Sequence, residues 1–305
     1  MSIVRAIRFV ALVGIAWAAS PSLALAEDAP SEIPPHAYLF YEAASKGDFD
    51  TARDLLADHP DLVKQKYDQG ITALHAAALS NEPRIAELLL EHGALVDVRA
   101  GRQQLTPLYV AVTRGNEKTA KVLLARHADP NAKAEDGALT NVTPLHMAAL
   151  NARADLADLL ITNGAKLDVK TSGGETATDY AVRKGATMVR QVIAAYRMMG
   201  LTKGRPVAEL IRAIDAQDSA WTAKVLDTSP ALANVKLDDD VTPLHLAAGI
   251  GSRPLCELLL ARHADPAARE KGTHYAPFER ALNAGYQDLA EMLRVQEAAA
   301  NNRKR

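Results

Sequence analysis

The chain has 305 residues, 48% of them hydrophobic, 24% charged and only 5% aromatic, with a formal charge of −2. This balance excludes an intrinsically disordered chain and a general affinity for nucleic acid. The abundance of Ala and Leu over aromatic residues favours helices packed through small side chains rather than sheet.

In chain order, residues 1–26 differ in kind from the rest. They carry Arg5 and Arg8, no acidic residue, an apolar stretch from Phe9 to Ala19 and the small-residue triplet Ala24-Leu25-Ala26. That pattern predicts a secretory signal peptide cleaved after Ala26, since about 11 apolar residues fall short of the roughly 20 a spanning helix needs. Neither a lipid-bearing cysteine nor an adjacent arginine pair follows, so the mature chain is expected free in the periplasm, with the extracellular space as the alternative. Removal of two cations leaves 33 basic against 37 acidic residues, a charge of −4. Residues 27–35 read as a Pro-rich lead-in.

Beyond it the sequence repeats. Thr72-Ala-Leu-His75-Ala-Ala77, Thr106-Pro-Leu-Tyr109-Val-Ala111, Thr143-Pro-Leu-His146-Met-Ala148 and Thr242-Pro-Leu-His245-Leu-Ala247 share one pattern, and Thr176-Ala-Thr-Asp-Tyr180-Ala181 is a weaker copy. The threonines are spaced by 34, 37, 33 and 66 residues. A second motif keeps the same phase: Leu88-Leu-Leu-Glu-His92-Gly-Ala94, Val122-Leu-Leu-Ala-Arg-His127-Ala128, Leu159-Leu-Ile-Thr-Asn-Gly-Ala165 and Leu258-Leu-Leu-Ala-Arg-His263-Ala264. Thr suits a helix cap, Pro the first helical position and the Leu run a buried face.

On these two motifs the chain resembles the ankyrin-repeat family, whose unit of 33 residues joins a β-turn to two antiparallel helices. The resemblance implies an all-α solenoid of about eight helix-turn-helix repeats with β-turn or hairpin fingers. Repeats one to five are placed at 36–200 and repeats six to eight at 201–296, with a basic tail at 297–305. The fourth copy carries extra residues around Asp136 to Val142, read as a longer finger. Residues 197–206 interrupt the pattern, after which Leu210–Asp218 and Val225–Leu232 resemble the first repeat, as if the chain restarts. Either a continuous stack or a bend near residue 200 fits, and continuity is the expectation.

Candidate chemistry is thin. His75, His146 and His245 recur at the helix start and His92, His127 and His263 at the end of the second helix. Their spacing belongs to the repeat, and in the family the first set joins turn to helix by hydrogen bonds. His36, His59 and His274 form no ligand-spaced pattern, so neither metal nor cofactor is expected. Asp238-Asp239-Asp240 falls at a turn tip, where aspartates make turn hydrogen bonds and stay solvated. Cys256, the single cysteine, sits in an apolar helix and reads as an inert core thiol. With no catalytic constellation, the chain is expected to be a non-enzymatic monomer that binds another protein as scaffold, protector or inhibitor; a secreted effector of a host protein is the alternative.

The register then names the contact face, by analogy with the family: the turn positions and the pair after Ala-Ala in each first helix. These are Gln69, Ile71, Leu79 and Ser80; Gln104, Leu105, Thr113 and Arg114; Leu139, Leu150 and Asn151; Arg183 and Lys184; and Val241 and Ile250. Tyr109 replaces the usual His and Tyr180 is placed at the corresponding position of its copy; each reads either as a binding aromatic or as a packing substitute. Apolar anchors among Arg114, Arg183 and Lys184 suit a partner that is acidic near the middle.

Overall fold

A computed structural model describes residues 33–136 and 139–303. The expected signal peptide, most of the lead-in, and Lys304 and Arg305 of the basic tail lie outside the described residues. The contacts divide the molecule into two compact units, one running to Pro144 and including Lys170–Gly174, the other comprising Leu145–Val169 and Glu175–Arg305.

In the first unit the helices come in pairs: α1 (Pro35–Lys46) with α2 (Phe49–Asp58), α3 (Ala73–Ser80) with α4 (Pro83–Glu91), and α5 (Pro107–Arg114) with α6 (Glu117–Ala125). Successive first helices pack on one another, α1 on α3 and α3 on α5, while α4 packs on α6. The core is the predicted one of small and branched side chains, with Ala77, Leu74, Leu89, Leu108, Ala111 and Leu123 at 0–1% exposure. Close helix approach through Ala is what leaves so little room for aromatics.

Between pairs the chain makes fingers. The longer finger expected around Asp136–Val142 is a hairpin of β1 (Ala134–Asp136) and β2 (Leu139–Val142). Each finger donates a backbone N–H to the one before it: Gly101 to the Gln69 carbonyl at 2.7 Å, Glu135 to Gln103 at 2.9 Å, and Ser172 to Thr140 at 2.9 Å. The tips turn through left-handed residues, Gln69 at φ 56° and Gln104 at φ 54°.

The second unit holds α7 (Pro144–Leu150), α8 (Ala154–Thr162), α9 (Ala177–Lys184), α10 (Thr187–Asp215), α11 (Ser219–Thr228), α12 (Pro243–Gly249), α13 (Arg253–Ala261), α14 (Pro277–Asn283) and α15 (Gln287–Arg303). The stretch read as an interruption is helical. α10 is two helices joined at Gly200, whose φ of 70° and ψ of 177° no L residue adopts comfortably. The chain doubles back there so tightly that a Cβ on Gly204 would stand 2.9 Å from the Ala195 carbonyl oxygen. No finger separates these two halves, and α10 packs against α8, α9, α11 and α12.

The second half of α10 then begins the same succession as α1. A left-handed residue (Gly47 at φ 73°, Gln217 at φ 53°) precedes an aspartate cap, Asp48 on the Thr51 N–H at 3.2 Å and Asp218 on the Trp221 N–H at 2.8 Å. Two 3-10 turns follow in each case, Pro60–Lys64 and Asp68–Gly70 in one, Pro230–Asn234 and Asp238–Asp240 in the other. The second helix of the last repeat continues to Arg303, so residues expected as tail are the end of α15.

Candidate protein-binding face

The entry to each first helix is built on one hydrogen-bonding device. The Thr72 N–H, at 3.3 Å, points at His75 Nδ1, which makes that nitrogen the acceptor and leaves the proton on Nε2; Nε2 donates to the Leu105 carbonyl of the next finger at 3.0 Å. His245 repeats this with the Thr242 N–H at 3.2 Å and the Tyr275 carbonyl at 3.0 Å. The His75 ring is buried, which pushes its pKa down from 6.5 to about 4, and burial lowers His146 and His245 as well. These rings are neutral joints between helix and finger, the role the resemblance implied.

Two copies use other acceptors. Asp179 holds the Thr176 N–H at 2.7 Å and Glu279 the Ala276 N–H at 2.7 Å. Asp179, not Tyr180, therefore stands at the histidine position, three residues after the threonine; the expected alignment of Tyr180 was one residue off. In the third copy Thr106 Oγ1 itself accepts the Tyr109 N–H at 3.2 Å. Tyr109 and Tyr180 are each 2% exposed, so neither reaches a partner: both are packing substitutes. Tyr180 meets His146 edge-on at 5.2 Å and carries the Arg183 guanidinium at 4.5 Å.

The remaining face residues divide by exposure. In the first unit Gln69, Ser80, Gln104 and Arg114 are exposed and Ile71, Leu79, Leu105 and Thr113 half-buried. Gln104 folds its amide back onto the Gly101 carbonyl at 3.2 Å, and Thr113 donates to the Tyr109 carbonyl at 2.8 Å. In the second unit Asn151, Arg183 and Lys184 are exposed and Leu150 and Ile250 half-buried. Val241, expected to look outward, is 1% exposed because its turn tucks it beneath the Thr242 helix start. Arg183 is already paired with Glu175 at 2.8 Å, so of the expected contact cations Arg114 in the first unit and Lys184 in the second have no ion pair among the described residues.

Sequence reasoning also mistook a few environments. Asp238 and Asp239 both receive Arg190, at 2.8 and 2.9 Å, rather than facing only water. His127 and His263 are themselves the left-handed residues ending their helices, at φ 64° and 63°, whereas His92 precedes the one that turns, Gly93. Cys256 is fully buried, and burial pushes its thiol up to about 12, as an inert core thiol requires. Gly249 is the partner position of Ile250 in the strong Thr242 copy and was passed over, whereas Asn283 and Ala284 form the contact pair that the weak last repeat hid; counting three and four residues on from Arg280 would have found it. Among the described residues no group of three His, Cys, Asp or Glu side chains is placed to hold a metal, and no helix is long and apolar enough to cross a membrane.

Stacked helix pairs, fingers joined edge to edge and a variable exposed pair at each first-helix end define a helical repeat protein. Ankyrin-repeat family models match residues 40–134 (three copies), 109–161 (many copies) and 239–271 (a single repeat). The chain belongs to the ankyrin-repeat family. It is 29% identical to human ankyrin repeat and SOCS box protein 16 over 180 residues, 47% of this chain and 40% of that one. The mouse protein of the same name is 29% identical over 244 residues, 79% of this chain and 46% of the relative. Chicken inversin is 36% identical over 132 residues, 43% of this chain and 11% of its own. The chain thus spans less than half the length of these relatives.

Proposed function

We propose that the chain is a non-enzymatic protein-binding module, exported to the periplasm, which grips a partner protein through its finger tips and the ends of its first helices. The observation that carries this reading is a division of labour in the copies that begin at Thr72, Thr106, Thr143 and Thr242: the threonine position, the one three residues on and the alanine after it are buried and used internally, while at the helix end the pair of positions varies and stays open, as Leu79-Ser80, Thr113-Arg114 and Leu150-Asn151 do, and Arg183-Lys184 in the weaker copy. Half-buried apolar residues beside exposed polar and charged ones match the anatomy of a protein interface. Ankyrin repeats in general serve as protein-protein interaction modules, which supports the same class of function. Export rests on the basic, apolar and small-residue succession of residues 1–26.

The test is capture. The chain, crosslinked in its own host and purified beside Arg114→Glu/Lys184→Glu, is expected to bring down one partner that the double variant loses; a partner indifferent to both reversals contradicts the assignment of the face. Amino-terminal sequencing of the recovered protein is expected to begin at Glu27, and a chain beginning at Met1 would contradict export.

A further inference from the structure

At the last finger and the first helices on either side of it, three positions differ from their counterparts in earlier copies. Gly249 stands where earlier first helices carry Leu79, Thr113, Leu150 and Arg183, and its missing side chain opens a cavity of about 330 Å³ bounded by Glu270, Thr273, Tyr275, Arg280 and Asn283. Arg280 occupies the place of Ala76, Val110, Met147 and Leu246. Glu270 occupies that of Ala100: both donate their N–H to the last residue of their finger, Ala100 to Leu105 at 2.9 Å and Glu270 to Tyr275 at 3.1 Å. Two apolar positions have become an ion pair whose acid is 4% exposed. Burying such a pair gains little stability over apolar residues of similar size, so packing alone gives no reason for it.

The pair is arranged as a holder. Glu270 Oε1 accepts from Arg280 Nε at 2.6 Å and Oε2 accepts from the Thr273 hydroxyl at 2.6 Å, so the acid is satisfied and fixes the guanidinium by its inner edge. The two terminal nitrogens of Arg280, the Asn283 amide and the Tyr275 hydroxyl have no hydrogen-bond partner among the described residues. A guanidinium so presented offers two parallel N–H donors, the geometry a carboxylate accepts. A purely apolar group would leave these donors without acceptors. The cavity is open to solvent, with Thr273, Tyr275 and Asn283 exposed around it and Gly249 half-buried, so a side chain can enter from outside and lay its methylenes along Gly249 and Tyr275.

We propose that this cavity is a docking site for an acidic side chain of the partner, a glutamate whose methylenes pass Gly249 and Tyr275 and whose carboxylate ends on Arg280 and Asn283. The assignment rests on the reading of the chain as a protein-binding module and names the chemistry of one contact.

The test is an NMR titration of the full chain with acetyl-Ala-Glu-Ala-amide, acetyl-Ala-Gln-Ala-amide and acetyl-Ala-Ala-Ala with a free carboxylate. The glutamate peptide is expected to shift the Arg280 Nε–H and the Asn283 side-chain amide and to bind about tenfold or more tightly than the glutamine peptide, a difference of about 1.4 kcal/mol. Gly249→Leu, which restores the residue of position 79, should abolish those shifts; a Cβ at 249 comes no closer than 3.9 Å to Arg280 Cδ, so the backbone tolerates it. Equal binding of the glutamate and glutamine peptides, shifts that survive Gly249→Leu, or no shifts at all would each overturn the site, and preference for the free acid would reassign it to a terminal carboxylate. If Gly249→Leu still captures the partner while the glutamate peptide fails, the cavity is wrong and the module stands. If the peptide binds as expected but the chain captures no protein, the module reading falls instead.

Discussion

α1 and the second half of α10 start the same local structure and differ in what lies against their outer side. α1 has Leu39 at 48% exposure on a side without a preceding helix pair among the described residues. The second half of α10 instead lies against its own first half and α8, and a polar cluster joins them. The Asp158 carboxylate, on a residue 7% exposed, accepts from Tyr196 on the first half of α10 and from Arg212 on the second half at 2.7 Å. Arg212 also lies over the Trp221 ring at 5.2 Å, and its buried Nε has no hydrogen-bond partner among the described residues. Elsewhere a finger bonds the finger before it. Here none precedes Asp238–Asp240, and side chains substitute: Asp238 N–H donates to Gln191 Oε1 at 3.0 Å, and Arg190 reaches both aspartates. A repeat thus begins in two ways: at α1 with Leu39 exposed, and at the second half of α10 with side chains in place of the missing finger bond.

The largest expected effect breaks the second arrangement. Asp158→Ala leaves Arg212 facing an uncompensated, largely buried site and should cost about 3–5 kcal/mol in denaturant unfolding. Asp158→Leu/Arg212→Met should recover most of that loss, and purely additive single losses would mean the pair is not coupled. In the regular repeats Leu89→Ala, at a fully buried position, should cost about 2–5 kcal/mol, while Thr113→Ala at the binding face should stay within about 0.5 kcal/mol. Similar losses from the two would contradict the repeat register.

The histidine joints give the regular stack a pH dependence. His75 titrates near 4 when folded against 6.5 in its ordinary state, so between these values the unfolded chain binds more protons. Its contribution is complete above about pH 6.5 and is lost as pH falls toward 4, up to about 3 kcal/mol. Unfolding of wild type beside His75→Gln should show a steeper loss in the wild type over that window; parallel curves would contradict a buried neutral ring. A last substitution probes the junction backbone. Gly204→Ala puts a methyl against the Ala195 carbonyl oxygen and the Tyr196 Cα and should cost about 1–3 kcal/mol. A neutral result would show that the two halves of α10 separate easily.

The repeat was legible because its signals are local. Threonine, proline and histidine act within three residues of one another, and the Leu runs repeat in phase with them, so the repeat and its helix pairs could be read, and the family resemblance they carry supplied the role of His75 and His245. The longer finger at β1 and β2 showed as surplus length. The junction could not be read that way: the Gly200 reversal joins segments whose partners, Asp158 and Arg212, are 54 residues apart, and no local pattern marks a buried ion pair. Exposure failed at Val241, which shares its register with half-buried Ile71 and Leu105 yet is buried, and the alignment of Tyr180 failed by one residue. The cavity beside Gly249 depended on an absent side chain beside a weak copy, visible only once the register of the last repeat was secure.

The central claim is that a partner protein lies along the fingers and first-helix ends. Hydrogen–deuterium exchange of the chain with its captured partner tests this most directly. Protection concentrated at residues 69–71, 79–80, 103–105 and 113–114, with the second helices α4 and α6 unchanged, is the result expected. Protection confined to α4 and α6 would place the partner on the opposite side and contradict it.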